Sequence, residues 1–392
     1  MGTVRPRRKR AVRRGGVSDK TLRFLAEQQP ATPCLVVDLE IVAEAYRLLR
    51  HYIPLARVFY AIKANPAREI LAMLDRLGSS FDVASRGEID LCLHLGVPAD
   101  RISFGNTIKK ECDIAYAYEQ GVRLYAFDSA AELDKLARVA PGARVFCRIL
   151  VDSEGAEWPL SRKFGCSPEM AVDLLRQAKT AGLDPYGVSF HVGSQQTKLD
   201  QWDSAIGRAA HMFSLLAESD ITLKMVNIGG GFPAHYRGDV PGVERYCNAV
   251  MAAITRHFGN DLPEIVVEPG RSIVGDAGVI ETEVVLISQK SVGDAKRWIY
   301  LDAGKFNGLA ETMDESIKYR IETPADGGAT GPVVIAGPTC DSADILYEKT
   351  DYRLPLALKV GDKVRILATG AYTASYASVG FNGFEPLKTF CI

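Results

Sequence analysis

Eight short apolar runs recur between residues 57 and 268, at 57–62, 80–84, 101–105, 123–127, 143–150, 187–192, 224–228 and 264–268. Between them, segments such as 66–77, 129–139, 168–181 and 200–219 repeat apolar residues every three or four positions, the period of an amphipathic helix. A strand that is followed by a helix can only return to a parallel neighbour, and eight such units close into a (β/α)8 barrel. The expected fold class is therefore α/β, a TIM barrel, and this constrains everything else the chain can do.

After Arg271 the texture changes. Longer strand-like runs at 279–288, 297–301, 331–335 and 363–367 are separated by Gly and Pro turns, with few helices, as in an all-β domain. The run 33–38 precedes the barrel and is read as returning to that β domain. The predicted division is a barrel over 40–272, inserted into a β domain made of 21–39 and 273–392. Residues 1–20 are set apart as a disordered basic tail. Arg5, Arg7, Arg8, Lys9, Arg10, Arg13 and Arg14 precede the first acidic residue, Asp19, and such a block repels itself and buries little. It lacks the apolar core of a secretory signal.

The net charge of −1 over 392 residues offers no global field for nucleic acid or a membrane surface, and no run has the apolar length of a membrane helix. The partner expected is a small molecule. Eight cysteines are scattered without a Cys-x-x-Cys pair, which argues against a zinc site or a disulfide framework and for a reducing, cytoplasmic setting. Most are read as small buried apolar residues.

In a barrel of this kind catalytic groups gather where strands hand over to the following loops. Here those positions are polar. The first strand ends at Lys63, in Val-Phe-Tyr-Ala-Ile-Lys-Ala-Asn, and is cut off by Asn65-Pro66. A lysine at the end of a buried strand costs desolvation unless its amine is used, and the natural use is a Schiff base with a carbonyl cofactor. The second strand delivers Asp82 and Ser85, the fifth Arg148, the sixth His191 and Ser194, the seventh Gly229-Gly230-Gly231, and the eighth Glu268 and Arg271.

Three consecutive glycines leave backbone N–H groups open to a phosphate, although a flexible turn would explain them equally well. Their place after the seventh strand, beside Arg271 of the eighth, is where barrels commonly bind phosphate. Glu268 is either a buried partner for an arginine or the holder of a protonated heteroaromatic nitrogen. His191 is either a satisfied core histidine or a ring stacked on a flat cofactor. A phosphate site, a Schiff-base lysine and such a carboxylate together describe pyridoxal 5′-phosphate.

The motifs Tyr60–Asn65, Phe81–Ser85, Leu160–Gly165, His191–Gln195, Asn227–Pro233, Glu268–Arg271, Gly337–Asp344 and Gly370–Thr373 occur in the order found in one known family. From Thr32 onward the chain resembles the fold type III pyridoxal-phosphate decarboxylases of the ornithine and lysine group, bacterial ornithine decarboxylase-like, whose barrel is of the alanine-racemase kind.

The resemblance implies that Lys63 carries the cofactor, Glu268 its pyridinium and His191 its stacked face, with Ser194, Gly230, Arg271 and Tyr372 at the phosphate. It places Asp82, Glu88 and Arg148 around the cofactor near its imine. It implies a homodimer in which Gly-Pro-Thr-Cys-Asp reaches into the other subunit's site. Cys340 would then be the catalytic proton donor and Asp341 the substrate-binding residue at the distal amine, with Tyr372 also lining the substrate. By base rate alone Cys340 would be a buried apolar residue. Lys163 and Asp344 match a pair that bridges subunits. Asp314 falls near the family's substrate-selecting short helix, with Glu311 as a competing choice.

These matches imply decarboxylation of L-ornithine to putrescine, in polyamine biosynthesis, with L-lysine to cadaverine as a second activity. The two substrates differ by one methylene, which a pocket discriminates by only about 1–3 kcal/mol. Glu-Pro-Gly-Arg-Ser-Ile-Val resembles diaminopimelate decarboxylases, an alternative that requires a partner for a second carboxylate. A non-catalytic regulatory relative would be expected to lose the lysine, phosphate ligands or cysteine, all of which are present. A barrel racemase would use a tyrosine in place of Cys340-Asp341.

Overall fold

The computed structural model describes residues 16–158 and 163–392. The seven basic residues of the tail, and Leu160–Arg162 of one family motif, lie outside the described residues. Ser18 caps a helix over Asp19–Gln28 by accepting a hydrogen bond from the Thr21 N–H at 3.1 Å. The last two residues assigned to the tail therefore belong to a helix.

Eight parallel strands close into a barrel: Ala56–Ala61, Ser80–Val83, Ile102–Phe104, Leu124–Phe127, Arg144–Arg148, Asp184–Ser189, Met225–Asn227 and Glu264–Val267. They pair in chain order, and the eighth closes on the first with Ile265 opposite Ala56. Each matches one of the eight apolar runs. Contiguous hydrophobicity is what a strand covered on both sides requires. Outward side chains such as Val58 and Tyr60 pack under the helices. Phe59, Leu124, Ala126, Phe146, Met225 and Val266 form a separate cluster that fills the lumen. The barrel is thus a packed core whose chemistry has to sit at its rim.

The second sheet has eight strands, six of them in the order Ile321–Glu322, Lys363–Leu367, Gly278–Ser288, Arg297–Leu301, Thr330–Ala336 and Ile345–Pro355. The strand Cys34–Val37 joins it, antiparallel to Gly278–Ser288 and parallel to Lys388–Cys391. The helix Asp19–Gln28 covers this corner, where Leu25, Cys34 and Val36 form a small core with Phe24 and Phe390 against it. A two-stranded ribbon, Ala156–Trp158 with Ser194–Gln196, stands at the barrel mouth.

Two hydrogen bonds, one from a side chain and one between backbones, tie the sheet to the mouth. Asn65 donates from Nδ2 to the Gly370 carbonyl at 2.9 Å, and the Tyr372 N–H donates to the Ala64 carbonyl at 2.8 Å. The loop that carries Lys63 is therefore stitched to the loop that carries Tyr372.

Candidate active site at the barrel mouth

Lys63 lies in a single 3-10 turn, Ile62–Ala64, directly after the first strand, because Asn65-Pro66 ends any extended continuation. Its side chain reaches solvent through the mouth but has protein on its other sides. Burial pulls its pKa down, the negative charges of Asp82, Tyr372 and Glu268 pull it up against Arg148, and the balance is upward. The same charges tie the set together from the other side. Asp82 is pushed well above the usual carboxylate range by burial and by Glu268, with Lys63 opposing.

Asp82 sits on the second strand itself, and its Oδ1 is buried without a hydrogen-bond partner. Burying an unsatisfied carboxylate oxygen is costly, and such atoms cluster where a ligand is handled. Three and six residues later, Ser85 and Glu88 form a capping pair at the start of the helix Arg86–His94. Ser85 Oγ accepts from the Glu88 N–H at 3.3 Å, and Glu88 Oε2 accepts from the Ala84 N–H at 2.6 Å. Burial raises the Glu88 pKa, against the opposing pull of the Ala84 N–H and of Lys63.

Glu268 follows the eighth strand, and Asn227, the last residue of the seventh, orients it. Asn227 Nδ2 donates to Glu268 Oε1 while Asn227 Oδ1 accepts from the Gly229 N–H at 2.9 Å. One side chain thus positions both the carboxylate and the glycine loop. Asn227 received no role from sequence, and an amide at a strand end before a glycine run was the available signal. His191 follows the sixth strand, and its Nδ1 accepts from the Gly193 N–H at 3.1 Å. Burial, Arg148 and Lys63 hold its pKa well below 6.5, so the ring is neutral with its proton on Nε2.

The glycines are required sterically as well as for backbone exposure. A Cβ on Gly230 would stand 2.6 Å from the Glu268 carbonyl oxygen and 3.3 Å from His191 Nε2, and Gly231 has φ +98. Arg271 opens a four-residue helix beside them. Its Nε donates to Ser194 Oγ at 3.1 Å and its Nη1 to the Tyr236 hydroxyl at 2.6 Å. Its guanidinium lies 4.8 Å from the centre of the Tyr372 ring. The ribbon Ala156–Trp158 with Ser194–Gln196 holds Ser194 in place, and its short polar strands gave no sequence signal. Arg148 ends the fifth strand 5.1 Å from the Phe164 ring centre.

The candidates Lys63, Asp82, Glu88, Arg148, His191, Ser194, Gly230, Glu268, Arg271 and Tyr372 thus gather at one mouth. Glu311 joins them through Arg271, whereas Cys340, Asp341, Asp314 and Asp344 are placed elsewhere. Cys340 and Asp341 occupy an exposed turn of the β domain, where Asp341 Oδ1 accepts from the Ala343 N–H at 2.8 Å. Asp314 is exposed on a kink with φ +52. Glu311, read as a competing contact for a distal amine, is instead buried against Arg271, with Nη1 to Oε2 at 2.7 Å and Nη2 to Oε1 at 2.5 Å. Asp344, expected to bridge subunits, is turned inward and accepts from the Lys305 N–H at 2.7 Å and Thr339 Oγ1 at 2.7 Å.

Residues 39–275 match the family model described as pyridoxal-dependent decarboxylase, pyridoxal binding domain. The chain is 38% identical over 370 residues to the lysine/ornithine decarboxylase of Selenomonas ruminantium, covering 94% of this chain and 91% of that one. The structure of SrLDC with PLP and cadaverine has a TM-score of 0.86 at 35% identity, over 96% of this chain and 94% of that one. The lysine/ornithine decarboxylase of Vibrio vulnificus complexed with cadaverine has a TM-score of 0.85 at 31% identity, over 96% and 100%. With the lysine, the carboxylate and the glycine loop meeting at the mouth of one barrel, and these likenesses spanning nearly the whole chain, the protein belongs to the fold type III pyridoxal-dependent ornithine/lysine decarboxylase family.

Proposed function

We propose that the protein decarboxylates L-ornithine to putrescine, with L-lysine to cadaverine as a second activity, using pyridoxal 5′-phosphate. The observation that carries this reading is the grouping of Lys63, Asp82, Glu268 and Arg148 at one mouth, each within electrostatic reach of Lys63. The residues fit the cofactor: Ser194, Gly230, Arg271 and Tyr372 would hold its phosphate, Glu268 its ring nitrogen, His191 one ring face and Lys63 its aldehyde carbon. Pyridoxal phosphate supplies an electron sink for the pair left behind when the α-carboxylate departs.

The protein supplies orientation and proton control. Asn227 aims Glu268 so that the carboxylate can keep a proton on a ring nitrogen. Neutral His191 offers a flat ring without adding a second positive charge. Asp82 and Glu88, both with raised pKa, can hold or release a proton near Lys63 Nζ. Arg148 lines the same side.

The reading also proposes a homodimer with two shared sites. Exposed Cys340 would deliver a proton from Sγ to the substrate α-carbon in the other subunit's site. Asp341 would accept the distal ammonium there, with Asp314 and Tyr372 also lining the substrate. The exposure of the Cys340 turn supports this, because those side chains face away from their own protomer's core. A domain division at 40–272 against 21–39 with 273–392 is supported by the pairing of Cys34–Val37 with Gly278–Ser288. A reducing, cytoplasmic setting is supported by eight free cysteines.

The test is carbon dioxide release by purified protein with pyridoxal phosphate, offered ornithine, lysine, arginine and meso-diaminopimelate in parallel. Release from ornithine ahead of lysine is expected, and none from a Lys63→Ala variant. Release from diaminopimelate alone, or full turnover by Lys63→Ala, would overturn the reading.

A further inference from the structure

Arg271 and Glu311 are each only 3% exposed and meet as a forked pair, two parallel N–H···O bonds of 2.7 and 2.5 Å. The rest of the guanidinium is equally committed. An arginine has five N–H donors. Nε takes Ser194, Nη1 takes Tyr236 and Glu311, and Nη2 takes Glu311, which leaves a single N–H on Nη2. Tyr372 and Tyr236 flank the group at 4.8 and 5.7 Å. The plane and rotation of the guanidinium are therefore set before any ligand arrives.

Glu311 itself is held by its backbone. Its carbonyl accepts from the Ile317 N–H at 3.0 Å, and Thr312 Oγ1 donates to the Leu309 carbonyl at 2.6 Å. It comes from the segment after Arg297–Leu301, in the β sheet, whereas Arg271 belongs to the barrel. A carboxylate on the 3-10 segment Ala310–Glu315 thus fixes a cation on the short helix that follows the last barrel strand.

Granting that the mouth binds pyridoxal phosphate, the geometry points to Glu311 as a positioning residue that acts through Arg271 on the phosphate group. It aims the remaining N–H at the anion, and by neutralising Arg271 it leaves the phosphate's charge to be received mainly by directed hydrogen bonds. The consequence is selectivity for the phosphorylated cofactor over the same ring without phosphate.

The experiment measures equilibrium binding of pyridoxal phosphate and of unphosphorylated pyridoxal to the full-length protein and to E311A, E311Q and R271A. For E311A, pyridoxal phosphate affinity is expected to fall by about tenfold or more, the scale seen when an orienting partner behind a ligand is removed. Pyridoxal affinity should hold within about twofold, since the ring contacts are untouched. E311Q, which keeps an accepting oxygen, should fall between wild type and E311A, and E311A combined with R271A should lose no more than R271A alone. Equal loss of both ligands, an unchanged ratio, or additive losses in the double variant would overturn the inference. If the wild-type protein binds neither ligand, the cofactor reading fails instead; if E311A does not fold, E311Q carries the same comparison.

Discussion

Asp82 shows how tightly single residues are specified at the mouth. A Cβ on Gly105, which follows the third strand, would stand 1.9 Å from Asp82 Oδ1, so only glycine leaves room for the carboxylate. Gly105→Ala should cost about 1–3 kcal/mol by overpacking and depress activity further by displacing Asp82. Denaturant midpoints and turnover measured together would check this, and unchanged values for both would refute it. His191 carries a pH signature. Its folded pKa lies well below 6.5, whereas an unfolded histidine takes up a proton near 6.5. In the window between those values the unfolded state holds the extra proton, so stability falls as the pH drops through it. His191→Phe should flatten the decline of melting temperature between roughly pH 7 and pH 5. The residue types at the strand ends were legible in sequence because a polar side chain closing an apolar run is conspicuous. The fork between Arg271 and Glu311 was not, since forty residues separate two charges whose meeting depends on how two sheets pack.

At the scale of elements, the eight barrel strands were readable because burial on both sides demands uninterrupted apolar runs. The strand Ile345–Pro355 escaped, with Glu348, Lys349 and Asp351 in its middle, because its exposed positions are polar and its burial comes from neighbours. A buried ion network joins the third and fourth barrel units. Lys109 Nζ lies 2.9 Å from Glu132 and donates to the Asn106 and Ala126 carbonyls at 2.7 and 2.6 Å, and Lys135 meets the same carboxylate at 2.5 Å. Burial lowers the Lys109 pKa from 10.5 to about 8 despite Glu132. Between those values the unfolded chain holds a proton that the folded chain has released, so this residue makes stability rise with pH across that window. Lys109→Met should lose that rise, about 3 kcal/mol at most. Melting curves of the two proteins from neutral to alkaline pH would settle it, and parallel slopes would sink the assignment.

For the whole molecule, the mouth brings cofactor-side residues together but leaves the Cys340 turn exposed, so completeness becomes a question of assembly. If two copies share each site, Lys63→Ala and Cys340→Ala proteins, each inactive alone, should regain activity when dissociated and mixed. Random pairing gives mixed dimers half the time with one intact site of two, hence roughly a quarter of wild-type turnover. No recovery after mixing would place both residues in one subunit's site. The architecture was legible from the change of texture after Arg271. The proposed assembly rests on resemblance, because an exposed cysteine turn looks the same on a monomer. One further consequence concerns synthesis. Cys34–Val37 pairs with Gly278–Ser288, with the entire barrel made in between. At about 5–20 residues per second, this Cys-Leu-Val-Val segment waits roughly 10–50 s beside the ribosome for its partner. A nascent chain of this protein therefore carries a sticky strand edge for most of its translation, and it is there that a holdase would be expected to bind.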